Sequence, residues 1–236
     1  WLRELTGASP RRLRRLALGF KPVLGQHQPA LLEEIQGIAR GSRRGLAEIL
    51  MLNARTDMLV MGRRGGAGRG KADDGCTALA LRGTRGGSPA LALGQNWDWR
   101  QEMARGIVVL RLRPRGGPRI VTFTEAGMVG KVGFNSSHLG VTLNFLAHPD
   151  ADPDGPYGVP VHCLLRAVMG CGTVAEATAL VRGAPRCAAA NFIVARHQPG
   201  KTPEAVDLEW THTRVARLGL SDPGGYVVHT NHFKDR

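Results

Sequence analysis

The spacing of apolar positions changes about a third of the way along the chain. Residues 11–55 carry a helical period. In the stretch 30–39, Leu31, Ile35 and Ile38 share one face at i, i+4 and i+7. Ser42 stands where it can cap a second helix bearing Leu46, Ile49, Leu50 and Leu52. After Cys76 the texture turns to short β-rich runs at 78–81, 90–94, 107–112, 119–123 and 141–145, separated by Gly, Pro and Asn. Helical spacing returns at 159–169 and 174–181, where Thr173 and Glu176 have the spacing of a capping box. Strand-like runs resume at 191–195, 215–218 and 226–229. Helices, strands, two helices and strands again predict an α+β protein of layered sheets covered by helices.

Between the two textures lies Arg63-Arg64-Gly65-Gly66-Ala67-Gly68-Arg69-Gly70-Lys71, which reads as a solvated loop. It nearly spells a phosphate-binding loop. That motif needs Ser or Thr after the lysine to hold magnesium, and here Ala72 follows. Asp73 and Asp74 then put two carboxylates where a nucleotide's phosphates would sit, so the match is rejected.

Composition narrows the classes. At 236 residues, 42% hydrophobic, the chain suffices for one large domain or two small ones with a substantial core. No apolar run approaches the roughly 20 residues of a membrane helix, so no membrane partner is expected. The amino end shows no apolar core followed by a cleavage site, which favours the cytoplasm. The net charge of +13 would suit nucleic acid, but the arginine excess is spread along the chain and aromatics are only 5%, too few for a base-stacking surface. Nucleic acid is therefore disfavoured, and a basic binding protein using loop 63–71 stands as the alternative class. Four cysteines (Cys76, Cys163, Cys171, Cys187) form no CxxC pair and imply no disulfide scaffold.

The chemistry centres on Asp73-Asp74-Gly75-Cys76-Thr77. A thiol at the first position of a strand, just behind a glycine-rich loop, is where a self-cleaving chain would place its nucleophile. Cleavage before Cys76 would free an α-amine on the residue that carries the thiol. An α-amine titrates near 8 and a thiol near 8.5, so one residue would supply both base and nucleophile close to neutrality. Gly75 lacks a Cβ and permits the strained backbone that attack on its carbonyl demands. The competing reading of Cys76 is a buried strand cysteine. The pair His229-x-x-His232, with His212 near in sequence, does not assemble the three or four ligands of a zinc site, so no metal is expected.

Read together, several strings stand in order: Gly75-Cys76-Thr77; Gly94-Gln95-Asn96-Trp97-Asp98; Thr124-Glu125-Ala126-Gly127; Gly130-Lys131-Val132-Gly133-Phe134-Asn135-Ser136; and His229-Thr230-Asn231-His232. With these the chain resembles the isopenicillin-N acyltransferase family of autoproteolytic N-terminal-nucleophile hydrolases, from about residue 30 to its carboxyl end. Upstream, 33–39 and Leu52-Asn53-Ala54-Arg55-Thr56 resemble that family's pro-segment.

The resemblance implies a four-layer αββα sandwich, here without its carboxyl-terminal part. It implies a pro-segment or α chain at 1–75, cleavage between Gly75 and Cys76, and a β chain at 76–236 that stays associated with it. Cys76 matches the nucleophile, Asp98 a carboxylate that orients and charges the α-amine, and Asn231 an amide that donates to the oxyanion. Glu125 and Asn135 match family strings but serve packing and turn geometry equally well. The family continues beyond its His-Thr-Asn-His string and includes a catalytic arginine that no residue here matches. The implied substrate is a small-molecule amide or acyl thioester, with no cofactor and with acyl-CoA as a donor. Two further alternatives are a histidine-assisted cysteine amidase, using His229 or His232 without self-cleavage, and an inactive relative.

Overall fold

The computed structural model describes residues 2–62, 75–147, 156–220 and 225–235. The near-match to a phosphate loop and the Arg/Gly stretch at 63–71 lie outside them.

The amino-terminal part is helical: α1 (Leu2–Thr6), α2 (Pro10–His27), α3 (Pro29–Ser42), α4 (Leu46–Asn53) and α5 (Arg55–Gly62). Ser9 caps α2 by accepting from the backbone N–H of Arg12. Leu13, Ala17, Phe20 and Leu24 bury one face of α2, and Leu31, Ile35 and Ala39 bury one face of α3. Ser42 does not start α4. Its hydroxyl donates to the Ile38 carbonyl and closes α3, which ends on Arg43 in the left-handed conformation; Gly45 caps α4, its N–H donating to the Glu48 carboxylate. A serine after a helix with arginines following serves either end equally well, and the turn at Arg43 decides.

Strands follow: β1 (Cys76–Arg85), β2 (Ser88–Trp97), β3 (Ile107–Leu112), β4 (Ile120–Glu125), β5 (Val132–Asn135), β6 (Leu139–Val141) and β7 (Asn144–Phe145). Then come α6 (Val161–Val168), α7 (Val174–Gly183), β8 (Ala190–Arg196), β9 (Glu204–Trp210), β10 (Val215–Gly219) and β11 (Tyr226–His229). The run expected at 141–145 is broken into β6 and β7, both of which pair with β8. Thr173 caps α7 as its spacing predicts, but Glu176 reaches back to the N–H of Gly172 rather than to that of the cap residue.

Among the described residues every strand pairing is antiparallel. β11, β1 and β2 form a three-stranded sheet, and β10-β9-β8-β6-β5-β4-β3, with β7 on β8, form an eight-stranded one. Strand β8 shows how they stack. Phe192 and Val194 point into the core shared with the helices, whereas Ile193 and Ala195 point at Ala78, Ala80 and Val227 of the small sheet. A strand covered on both faces reads as a continuous apolar run, as Phe192–Ala195 of β8 does between Asn191 and Arg196.

The chain is thus an α+β sandwich, and the described residues build three layers of it: helices, large sheet, small sheet. On the other face of the small sheet Leu79, Leu81 and Tyr226 are exposed. Among the described residues, no helix is long and apolar enough to cross a membrane.

Candidate active site

The site lies where the two sheets and the helical segment meet. A cavity of about 500 Å³ is lined by Cys76, Trp97, Asp98 and Asn231, by Phe123 and Lys131 of the large sheet's side, and by Leu5, Arg55, Thr56 and Leu59 of the amino-terminal helices. Its wall is mostly apolar with a few polar and charged side chains among it, the composition expected of a small-molecule site.

Each sequence-predicted residue arrives there by a separate element. Cys76 opens β1, half-buried, opposite Trp97 at the end of β2. Asp98 comes one residue after β2; its N–H donates to the Gly75 carbonyl at 2.9 Å. Asn231 follows β11, which pairs with the other edge of β1. Its Oδ1 accepts from the Cys76 backbone N–H at 2.6 Å, and its Nδ2 donates to the Phe145 carbonyl at 2.8 Å. The sandwich therefore gathers Gly75, Cys76, Asp98 and Asn231 around one peptide bond. A Cβ built on Gly75 would lie 3.3 Å from Asp98 Oδ2 and 3.8 Å from Asn231 Oδ1. Asn231 thus has a contact beyond the amide N–H expected of it, an acceptor aimed at the nitrogen that cleavage would turn into an amine.

Several residues of this site were not singled out in the sequence. Asn144 Nδ2 donates to the carbonyls of Cys76 (3.0 Å) and His229 (3.2 Å), tying β1 to β11 beneath the thiol. Gln95 clamps Leu143 through both its backbone groups. Lys131 and Arg55 share the buried carboxylate of Glu125: Arg55 takes both oxygens at 2.6 Å, and Lys131 lies 3.3 Å from one. Burial favours the neutral carboxyl, but the two cations outweigh it and hold Glu125 below the usual carboxylate range. His162 also lines the cavity, fully buried, with Nε2 3.2 Å from Thr56 Oγ1. Burial first, then Arg55 and Lys131, hold its pKa well below that of an ordinary imidazole.

The motif 52–56 explains how the helical segment reaches the site. Asn53, wholly buried at the end of α4, donates to the carbonyls of Ile49 and Gly127 and accepts from the N–H of Val129. It grips the turn after β4 while Arg55, two residues on, grips Glu125 within that turn's strand. Asp57 then accepts from the N–H of Val161 at the start of α6. Asn135 is a packing residue: it donates to the carbonyls of Met169 and Cys171 and accepts from the N–H groups of Ser137 and Leu139.

The histidines of the 229–232 string stand apart from the cavity wall. His229 is buried with Nε2 2.5 Å from Glu209 Oε1 and Nδ1 2.6 Å from the Thr230 carbonyl. Burial opposes a charged ring, but the Glu209 hydrogen bond and the nearby Asp207 carboxylate outweigh it and raise the pKa above the ordinary value. With both nitrogens donating, the ring has no lone pair for a metal or for the proton of Cys76. Asp207, Glu209 and His229 do converge within 4.8 Å, a grouping the sequence spacing did not reveal. Glu209, however, is already satisfied by His229 and by the N–H groups of Lys234 and Asp235. His232 is exposed, its Nδ1 2.7 Å from Thr230 Oγ1.

A family model described as acyl-coenzyme A:6-aminopenicillanic acid acyl-transferase matches residues 84–236, a span that contains Asp98 and Asn231 and begins just after Cys76. The chain belongs to this family. A relative in it, the 40 kDa form of acyl-coenzyme A:6-aminopenicillanic-acid-acyltransferase from Emericella nidulans, is 34% identical over 220 residues. That alignment covers 93% of this chain and 56% of the relative, so the chain spans about half the relative's length. Among solved structures, penicillin V acylase from Agrobacterium tumefaciens is similar at 13% identity and a TM-score of 0.33, over 61% of this chain and 41% of that one. A variant of conjugated bile acid hydrolase from Clostridium perfringens is similar at 12% identity and a TM-score of 0.37, over 68% and 54% of the two chains.

Proposed function

We propose that the protein is a self-processing cysteine amidohydrolase or acyltransferase, cut between Gly75 and Cys76, that carries the acyl group of its substrate as a thioester on Cys76. The observation that carries this reading is the convergence of Asp98 and Asn231 on the Gly75–Cys76 peptide bond, at the mouth of an apolar cavity.

Processing uses the parts already in place. The Cys76 sulfur adds to the Gly75 carbonyl carbon, the C–N bond breaks, and the nitrogen leaves as the Cys76 α-amine, taking the proton the thiol has lost. Water then hydrolyses the thioester to a Gly75 carboxylate and regenerates the thiol. From there the α-amine is held by Asn231 Oδ1, with the Asp98 carboxylate beside it to favour its protonated form. In turnover the thiol attacks the substrate carbonyl and the α-amine passes the proton to the leaving group. The second N–H of Asn231 Nδ2 is the donor assigned to the developing oxyanion, a role worth about 3 kcal/mol.

Segment 1–75 becomes an α chain and 76–236 a β chain. The core they share supports their staying together: Phe20, Leu24 and Met58 of the helices pack in one cluster with Val161, Leu164 and Phe192. Linear amides and acyl thioesters are the substrate classes, with water or an amine as acceptor. Acyl-CoA is included because the fungal relative's name gives it as donor.

Intact-mass spectrometry of the purified chain beside its Cys76→Ala variant tests the reading. Two fragments meeting at Gly75 and Cys76, absent from the variant, are expected. A single uncut mass from both, also in a chain extended to the relative's full length, overturns it.

A further inference from the structure

The Arg55–Glu125–Lys131 cluster holds two cations against one carboxylate, and all three side chains are buried. Arg55 occupies both Glu125 oxygens at 2.6 Å and lies over the Trp99 ring, 4.6 Å from its centroid. Lys131 is left with one shared oxygen at 3.3 Å, and its Nζ sits 3.1 Å from the centroid of the Trp97 ring. Trp97 is the direct cross-strand partner of Cys76 in the β1–β2 pair, and Lys131 and Cys76 line the same cavity. One positive charge is thus left over after the Arg55–Glu125 pair has formed. It lies against the residue opposite the thiol, where a low dielectric strengthens its reach.

We propose that Lys131 is the positioning residue that holds the Cys76 sulfur as a thiolate, its ammonium supplying the counter-charge that the Arg55–Glu125 pair leaves over. The inference deepens the reading of Cys76 as nucleophile and rests on it. The ammonium acts by its charge alone: the thiol's proton leaves to water, and no other bond changes.

The groups facing the pair agree with it. Burial and then Arg55 bring the Lys131 pKa down to about 7, while Glu125 and a charged Cys76 pull the other way. Near neutrality Lys131 is therefore charged in part of the molecules, and a charged Cys76 draws it further toward the ammonium form. From α6, His162 faces the same cavity and stays neutral, so it adds no competing charge. Asp98, beyond the end of β2, lies on the Gly75 side of the thiol. The α-amine freed by cleavage acts on the leaving group, and Lys131 acts on the sulfur.

The test is the rate of Cys76 alkylation by iodoacetamide against pH, read from the mass of the peptide that carries it, in the wild type, Lys131→Met and Lys131→Arg. The other thiols are poor competitors: burial pushes Cys171 up to about 11, and Cys163 and Cys187 are raised by burial and by Asp57. The wild-type midpoint is expected below the roughly 8.5 of a free thiol. Lys131→Met should raise it by about one unit and slow alkylation at pH 7 roughly tenfold, whereas Lys131→Arg keeps it low. A wild-type midpoint at or above that of a free thiol overturns the proposal without recourse to any variant. So does a Lys131→Met curve that superimposes on the wild type in protein whose circular dichroism is unchanged. Self-cleavage is read separately by intact mass, so an uncut chain with a Lys131-dependent midpoint removes only the processing claim.

Discussion

Asn231 Oδ1 accepts a 2.6 Å hydrogen bond from the backbone nitrogen of Cys76, 155 residues earlier in the chain. The contact exists because β11 pairs with β1 in the register Ala78↔His229, which brings Asn231, two residues beyond the end of β11, beside the first residue of β1. An amide side chain can serve both ends of the chemistry there, with Oδ1 on the amine and Nδ2 toward the oxyanion. Asn231→Ala removes both. Appearance of the two fragments, and turnover of any amide substrate, should slow by two to three orders of magnitude, about 3–4 kcal/mol of barrier. Asn231→Asp keeps the acceptor and loses the donor, so it should leave the amine held but still fail on the oxyanion. A time course by intact mass separates the two.

Gly75 is constrained by neighbours rather than by an unusual backbone angle. A methyl there would press on Asp98 Oδ2 at 3.3 Å, closer than an ordinary contact, and displace the carboxylate or the scissile carbonyl by a few tenths of an ångström. Gly75→Ala is expected to slow self-cleavage by roughly tenfold to a hundredfold, since misplacement of this kind costs that much. Thermal stability should be nearly unchanged. Gly75→Val should abolish the cut. The check is the fraction of cleaved chain against time after purification, with a melting curve alongside.

The two sequence textures mapped directly onto the fold, because each reports a burial geometry. Leu31 and Ile35 are buried on one face of α3, and Phe192–Ala195 of β8 is a continuous apolar run because both faces of the strand are covered. The elements that went unseen had patterns the solvent did not shape. In β9, Asp207 and Glu209 are buried polar positions inside a strand, so Glu204–Trp210 does not alternate as a half-buried strand should. Cys76, Asp98 and Asn231 were legible from family strings, and the sheet register explains why they are neighbours. Lys131 belongs to the 130–136 string, yet nothing in Gly130-Lys131-Val132 tells a solvated lysine from one whose ammonium rests on a tryptophan ring. Only the meeting of β2 with the large sheet does that. Arg55 was hidden similarly: its partner Glu125 is 70 residues away.

Asn53 links the helical segment to the site through two hydrogen bonds, one to the Gly127 carbonyl and one from the Val129 N–H, and a third holds it to Ile49 of its own helix. Asn53→Ala strands the N–H of Val129 and the carbonyl of Gly127 without water. We expect a loss of about 2–3 kcal/mol in stability. Because Arg55 follows two residues later, the same variant should loosen the Arg55–Glu125 pair and lower the yield of processed protein. Asn53→Asp keeps the acceptor for Val129 but not the donors, and should lie between the two. Denaturant unfolding at neutral pH measures the difference.

The buried Glu209–His229 pair sets a pH window for stability. The pKa of His229 is raised, so its contribution is fully present below its unfolded value of about 6.5 and is lost as pH rises through the higher folded value. For Glu209, burial alone would raise the pKa, but the His229 hydrogen bond and the N–H groups of Asp235 and Lys234 lower it overall. Its contribution is present above its unfolded value of about 4.3 and is lost as pH falls through the folded one. The two windows overlap between about 4.3 and 6.5, and there the pair stabilises most. Glu209→Gln leaves His229 without its counter-charge and should cost about 3 kcal/mol within that range, with the deficit shrinking as the ring is deprotonated at higher pH. Melting temperatures of wild type and variant from pH 4 to 9 test this. A deficit that grows above pH 7 would mean that His229 is neutral in the folded protein, and would reopen the ring as a base for Cys76.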